Sequence, residues 1–241
     1  MNELGQEINR EESLTTFYQG VKDCVPTLIG YISIGIAMGI VGASSNLSIL
    51  EVALLSILVY AGAAQFIICA LLVAESPISV IVFTTFIVNL RHFLLSMTLA
   101  PYFTKYSLMK NIAIGTLLTD ESFGVAVNKI VKKAAFNAKW MNGLNVTAYI
   151  FWILSCVLGA IFGKWISNPE ILGLDFSLTA MFLALLVLQL ENIEHRKLKL
   201  YLSLIVYVIL FMLVLCLFVP SYLAILLSTI IVATIGVIKD K

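Results

Sequence analysis

The apolar run from Leu198 to Ile238 is too long for one crossing of a lipid bilayer and right for two, with Pro220 at the turn between them. A helix that crosses a hydrocarbon layer of about 30 Å needs roughly 20 mostly apolar residues. Laid along the chain, that ruler marks candidate spans at 24–43, 50–73, 78–100, 111–130, 142–163, 176–190, 198–217 and 221–238. Seven is the alternative count, because 176–190 is the shortest segment. The composition agrees: 12% of the 241 residues are charged and 61% hydrophobic, against about 25% charged in a soluble domain. No stretch between the apolar runs is long enough to build a separate soluble core. The expected fold is an all-α polytopic membrane bundle of about eight transmembrane helices, with helices broken near the midplane. A tail over 1–19 precedes a single transmembrane domain over 20–241.

The tail lacks the positive and apolar regions of a cleaved signal peptide and is expected to stay in the cytoplasm. Fifteen Lys and Arg against fourteen Asp and Glu offer no electrostatic case for nucleic acid. Basic residues concentrate in short cytoplasmic loops. With eight crossings and the N-terminus inside, the cytoplasmic side holds Arg10, Lys22, Lys129, Lys132, Lys133, Lys139, Arg196, Lys197, Lys199, Lys239 and Lys241. The outside holds Lys105, Lys110 and Lys164. The 101–110 loop fits this least well, and a re-entrant second span is the alternative it raises.

Ionisable groups in the middle of a span cost at least about 2.5 to 3.5 kcal/mol each on insertion scales, so they persist where they are paired, hydrated or used. Here they are grouped. The third span centres on Asn89, Arg91 and His92, and the fourth on Asp120 and Glu121. Consecutive helices with a short connection are expected to be antiparallel neighbours, which sets the two levels side by side. On a helix Asn89 and His92 share a face, Arg91 is turned about 200° from Asn89, and Asp120 and Glu121 diverge by about 100°. One carboxylate is therefore left over from Arg91. That group, or His92, is a candidate proton carrier. The plain alternative is a structural ion pair that locks two helices.

The second span carries Tyr60, Ala61, Gly62, Ala63, Ala64 and Gln65 at its centre. Small residues before an amide mark a place where a helix can break. Freed backbone groups at such a break can meet a substrate's carboxylate and ammonium; a small-residue packing seam is the other reading. Gly35, Gly39 and Gly42 read as packing. Cys24, Cys69, Cys156 and Cys216 lie far apart in or beside apolar runs, and with only two histidines no metal and no cofactor is assigned. His195 reads as part of a solvated charge cluster over 191–199, and Trp140 and Trp165 as interfacial anchors. Motifs for ATP hydrolysis and intramembrane hydrolysis are lacking, so an enzyme is not expected. No internal repeat is legible.

Three motifs then stand in register: Tyr60-Ala61-Gly62-Ala63-Ala64-Gln65-Phe66, Asn89-Leu90-Arg91-His92 and Thr119-Asp120-Glu121. In order and spacing they resemble the AzlC family, large subunits of bacterial branched-chain amino acid exporters, over most of the chain from about Gly20 through the 173–180 stretch. The resemblance implies efflux of leucine, isoleucine, valine and analogues such as azaleucine or methionine, driven by an ion gradient across the bacterial inner membrane. It also implies a second, small hydrophobic membrane subunit of AzlD type. Beside it stand our own role assignments. Gly62 and Gln65 are expected to meet the amino acid's polar end and Arg91 a carboxylate. Asp120, Glu121 and His92, with Asn89 on the same helix face as His92, are expected to carry a coupled proton or bind the ammonium. A passive channel and a purely structural subunit of a larger complex remain as alternatives.

Overall fold

In this computed structural model the described residues are 16–132, 134–165, 195–219 and 221–239, with 183, 186, 187 and 190. The expected span 176–190 lies outside them apart from those four positions. The regular elements among them are helical: α1 (Phe17–Ser44), α2 (Ile49–Leu58), α3 (Gly62–Val73), α4 (Ile78–Leu99), α5 (Leu108–Thr116), α6 (Asp120–Val131), α7 (Ala138–Gly163), α8 (His195–Leu215) and α9 (Ser221–Lys239), with a 3-10 turn at Ala100–Phe103. The chain divides into two compact units, Met1–Leu178 and Thr179–Lys241. It is an all-α membrane bundle whose long apolar helices Phe17–Ser44, Ile78–Phe103, Ala138–Gly163 and Lys197–Leu215 can each cross a bilayer.

In the first unit, α1 and α7 are joined along their length by glycines. Gly20 lies against Trp140 and Leu144, Gly35 against Ser155 and Trp152, Gly39 against Cys156 and Ala160, and Gly163 against Ile40 and Ala43. The contacts rise in step along both helices, so α1 and α7 run parallel from one end of the unit, here the first face, to the other. Lipid tails are as apolar as leucine, so helices gain nothing by hiding apolar surface from them. Close backbone approach across small residues is what holds such a pair.

The helix α4 runs the other way. Phe103, just beyond its end, packs 5.7 Å from Phe136, which packs 5.7 Å from Trp140 at the start of α7. Between these three crossing helices lie two hairpins. The first begins at the second face, where Val52 of α2 meets Gly42, and reaches mid-depth where the Tyr149 hydroxyl donates to the Ile57 carbonyl at 3.0 Å. There α3 turns back: Gln65 Nε2 donates to the Leu55 carbonyl at 3.0 Å, and Cys69 lies beside Ser45 at the end of α1.

The second hairpin enters from the first face. Along α5, Ile114 accepts from Asn145 Nδ2 at 3.1 Å, and α6 then returns along α1, with Glu121 at Tyr31 and Lys129 3.1 Å from Asp23. Both hairpins have their tips at mid-depth. The pair α1 plus hairpin α2–α3 is thus repeated, upside down, by α4 plus hairpin α5–α6. This inverted repeat has the topology found in many secondary transporters.

Segments 50–73 and 111–130 were expected to cross and instead turn back. Their limbs are 10, 12, 9 and 12 residues long, about half the roughly 20 residues that a crossing needs. Two half-length limbs total one span length, so hydropathy alone reads them as a single crossing. The re-entrant alternative for the second span holds, and the fourth shares it. The topology also relocates the misfit loop. Lys105 and Lys110 now stand at the first face with Lys22, Lys129, Lys132 and Lys139, leaving Lys164 at the other. Trp140 is no interfacial anchor: it is fully buried, and its Nε1 donates to Asp23 at 2.8 Å. Trp165 is exposed. Cys24, Cys69 and Cys156 are buried and Cys216 is exposed.

In the second unit α8 and α9 form an antiparallel pair. Gly236, near the end of α9, faces Leu204 in the first half of α8, and the Lys239 ammonium lies 4.9 Å from the centre of the Tyr207 ring. The expected charge cluster over 191–199 is described only from His195 onward, where α8 begins.

Candidate functional site

The two hairpin tips are built differently. At the first, α2 ends at Leu58 and Tyr60 takes a left-handed φ of 38°, which interrupts the helix. Its ring stands edge-on to Tyr149 at 4.7 Å. The next helix starts at Gly62 with Ala61 as its cap, and no side chain accepts from its first amides. Gln65 is fully buried with both ends of its amide engaged. Its Nε2 holds the Leu55 carbonyl, and its Oε1 accepts from Trp152 Nε1 at 3.1 Å. Gly62 has no room for a Cβ, which would stand 2.9 Å from the Trp152 ring.

At the second tip the break falls at Leu117–Thr119, a feature the sequence reading missed because it treated 111–130 as one helix. Thr119 and Ser122 form a reciprocal cap, with the Thr119 amide donating to Ser122 Oγ at 3.0 Å and the Ser122 amide to Thr119 Oγ1 at 3.4 Å. Asp120 and Glu121 occupy the first turn of α6, where the unpaired amides of a helix N-terminus favour negative charge. The two carboxylates diverge. Asp120 Oδ2 lies 3.0 Å from Arg91 Nη2 on α4, and both side chains keep partial exposure, 19% and 25%. Glu121 Oε2 instead accepts from the Tyr31 hydroxyl at 3.0 Å.

Tyr31, in the middle of α1, was not among the expected site residues. Its hydroxyl bonds both Thr119 Oγ1 and Glu121. Its ring stands edge-on to Trp152 at 5.6 Å, and Tyr60 is its neighbour. One side chain therefore joins both tips. A signal was available: a tyrosine hydroxyl placed mid-span needs a partner within the protein.

The structure does not gather all the expected residues into one group. Arg91, Asp120 and Glu121 share the second tip. His92 turns to a cavity between α4 and α5, and Asn89 Oδ1 is buried without a hydrogen-bond partner among the described residues. Gly62 and Gln65 belong to the first tip and connect to the charged group through Trp152 and Tyr31. The assembly offers two helix N-termini at mid-depth, a guanidinium, two carboxylates and an imidazole. Such a set can receive a zwitterion or pass a proton.

Comparison with known proteins follows the same lines. The family described as AzlC protein matches residues 26–166, which contain both hairpins and all three crossing helices but for the first turns of α1. The inner membrane protein YgaZ of Escherichia coli (strain K12) is 30% identical over 73% of this chain and 74% of its own length. An uncharacterized membrane protein of Archaeoglobus fulgidus is 31% identical over 76% of this chain and 78% of its own. The branched-chain amino acid transport protein AzlC of Bacillus subtilis (strain 168) is 25% identical over 75% of this chain and 70% of its own. No solved structure matches. The chain is a membrane protein whose family and relatives' names point to transport, and it belongs to the AzlC family.

Proposed function

We propose that this protein is the large subunit of a secondary-active exporter of branched-chain amino acids, working by alternating access past the two hairpin tips. The observation that carries this reading is the pair of hairpins that enter from opposite faces and are tied at mid-depth by Tyr31, with the Arg91–Asp120 pair beside them. Inverted repeats with broken helices at the midplane put substrate between the halves, and rocking of one half against the other exposes that substrate to each side in turn. A passive pore would need a continuous polar path, and nothing at the tips favours one.

The geometry supports the following roles. The uncapped amides from Gly62 onward suit the substrate's carboxylate, as does Arg91 once released from Asp120. Glu121, held by Tyr31 rather than by a cation, is the candidate proton carrier, with His92 and Asp120. Gln65 supports the tip from behind and does not reach substrate. The name borne by the Bacillus subtilis relative supports branched-chain amino acids as substrates. A small hydrophobic membrane subunit of AzlD type is proposed as partner, on the family resemblance. Placing the first face in the cytoplasm, and the chain in a bacterial inner membrane, satisfies the concentration of basic residues there.

The test is uptake of labelled leucine into inverted vesicles containing the full chain, with and without the small subunit, under an imposed pH gradient. Gradient-dependent, saturable uptake that excess unlabelled isoleucine suppresses is the expected result. Linear uptake indifferent to the gradient would favour a channel.

A further inference from the structure

Between α4 and α5 lies an open cavity of about 520 Å³, walled in part by exposed side chains such as Phe93 and Met97, of which the roles above use only His92. Its outer end, by Asn111 and Phe103, is at the first face. Its inner end, by His92 and Leu118, reaches the second hairpin tip. Leu118 is one residue from Thr119, whose hydroxyl is bonded to Tyr31. The lining is apolar apart from a few groups, His92, Ser96, Asn111 and Thr116. Asn111 Oδ1 is buried with no hydrogen-bond partner among the described residues. A buried acceptor left unmatched costs about 1 to 3 kcal/mol, so a site of this kind is built to be matched by water or by a donor on a ligand.

Apolar walls with a few convergent polar groups are the general form of a small-molecule site. Among the described residues the wall carries no arginine, lysine, aspartate or glutamate, which disfavours substrates with charged side chains. Gly115 packs directly beside Ser96 at the cavity wall, where a Cβ on Gly115 would stand 3.5 Å from Ser96 Oγ, an ordinary contact. A single methyl group would fit there, and a larger side chain would occupy the space beyond.

We propose that this cavity is the vestibule and side-chain pocket for an aliphatic α-amino acid arriving from the first face, its side chain lodged at Ser96, Gly115 and Leu118 and its ammonium passing Asn111 and His92. The proposal rests on the transporter reading for its ligand class. Through Leu118, an occupant bears directly on the tip that Tyr31 and Arg91 hold, so filling the pocket is sensed where the two halves meet.

The full chain with Ser96→Cys in a Cys216→Ser background, reconstituted in vesicles of known orientation, is treated with a cationic methanethiosulfonate reagent on each face in turn. Reaction is expected from the first face only, slowed about tenfold by leucine and not by glutamate. Leu94→Cys, on the exposed side of α4, sets the background. Reaction no faster than at Leu94→Cys would mean that lipid fills the cavity, and would overturn the proposal. In parallel, Gly115→Leu is expected to weaken leucine binding about tenfold and alanine binding less than about threefold, with Gly115→Ala between. An unchanged preference in a variant that folds, while the parent chain still binds leucine, overturns the pocket and leaves the transporter reading standing. A parent chain that binds none of the aliphatic amino acids removes that reading as well.

Discussion

The two hairpins occupy equivalent places in an inverted repeat, yet their tips are chemically unlike. The first is neutral and clamped: Gln65 spends both ends of its amide on Leu55 and Trp152, and Gly62 packs closely against the Trp152 ring. The second is charged and held by hydroxyls and ions, through Thr119, Glu121 and the Arg91–Asp120 pair. A buried amide that is fully satisfied makes a rigid element, because any movement forfeits hydrogen bonds that its buried surroundings do not replace. The Tyr31 and Thr119 hydroxyls are buried as well, but the Arg91–Asp120 pair keeps 25% and 19% exposure and can be exchanged for water or substrate at less cost. On the exporter reading proposed above, the first hairpin suits the frame and the second the moving, proton-sensitive half.

The sharpest break of that assignment is Asp120→Asn, which keeps the shape of the second tip and removes the charge opposite Arg91. Gradient-driven leucine flux is expected to fall to background while the chain still folds. Flux undiminished in reconstituted vesicles would take Asp120 out of the mechanism. Next is Gln65→Leu at the first tip. It strands the Trp152 indole N–H and the Leu55 carbonyl, and is expected to destabilise the folded chain by about 2 to 4 kcal/mol, read as a lowered midpoint of thermal unfolding in detergent. Flux per folded molecule should change little; a large loss of flux at unchanged stability would make Gln65 a substrate contact after all.

Tyr31→Phe tests the link between the halves. Removing one hydroxyl frees Glu121 and Thr119, and is expected to cost about 1 to 2 kcal/mol of stability and to lower gradient-driven flux more than exchange at equal pH. Equal loss in both assays would make Tyr31 a packing residue. The smallest effect compares the two helix starts directly. Thr119→Ala removes both the cap of α6 and the hydroxyl partner of Tyr31 and should cost about 1 to 2 kcal/mol, whereas Ala61→Ser gives α3 the cap it lacks and should add up to about 1 kcal/mol. If the amides of α3 receive the substrate's carboxylate, Ala61→Ser also weakens leucine binding, as a competition assay would show.

Several of these groups were legible before any fold was known. Arg91 and Asp120 stand out because charges inside apolar runs are costly unless matched, and the short 101–110 connection already made neighbours of their helices. Tyr60 to Gln65 announces a broken helix through its run of small residues. The break before Asp120 was missed, since Leu117, Leu118 and Thr119 carry no glycine or proline and fit a helix by composition. Tyr31 was passed over although its mid-span hydroxyl needs a partner, because the sequence does not say which residues supply one.

The sequence by itself determined that this chain lives in a membrane, that it is helical, and that opposite charges meet inside the bilayer, because the cost of unpaired polar groups in hydrocarbon leaves few other arrangements. Whether an apolar stretch crosses or turns back was decided by tertiary structure alone. Two half-length limbs and one full span have the same length and hydropathy, and tertiary contacts such as Gln65–Leu55 and Lys129–Asp23 distinguish them. The inverted repeat follows from that same folding back, and so does the joining of both tips by Tyr31.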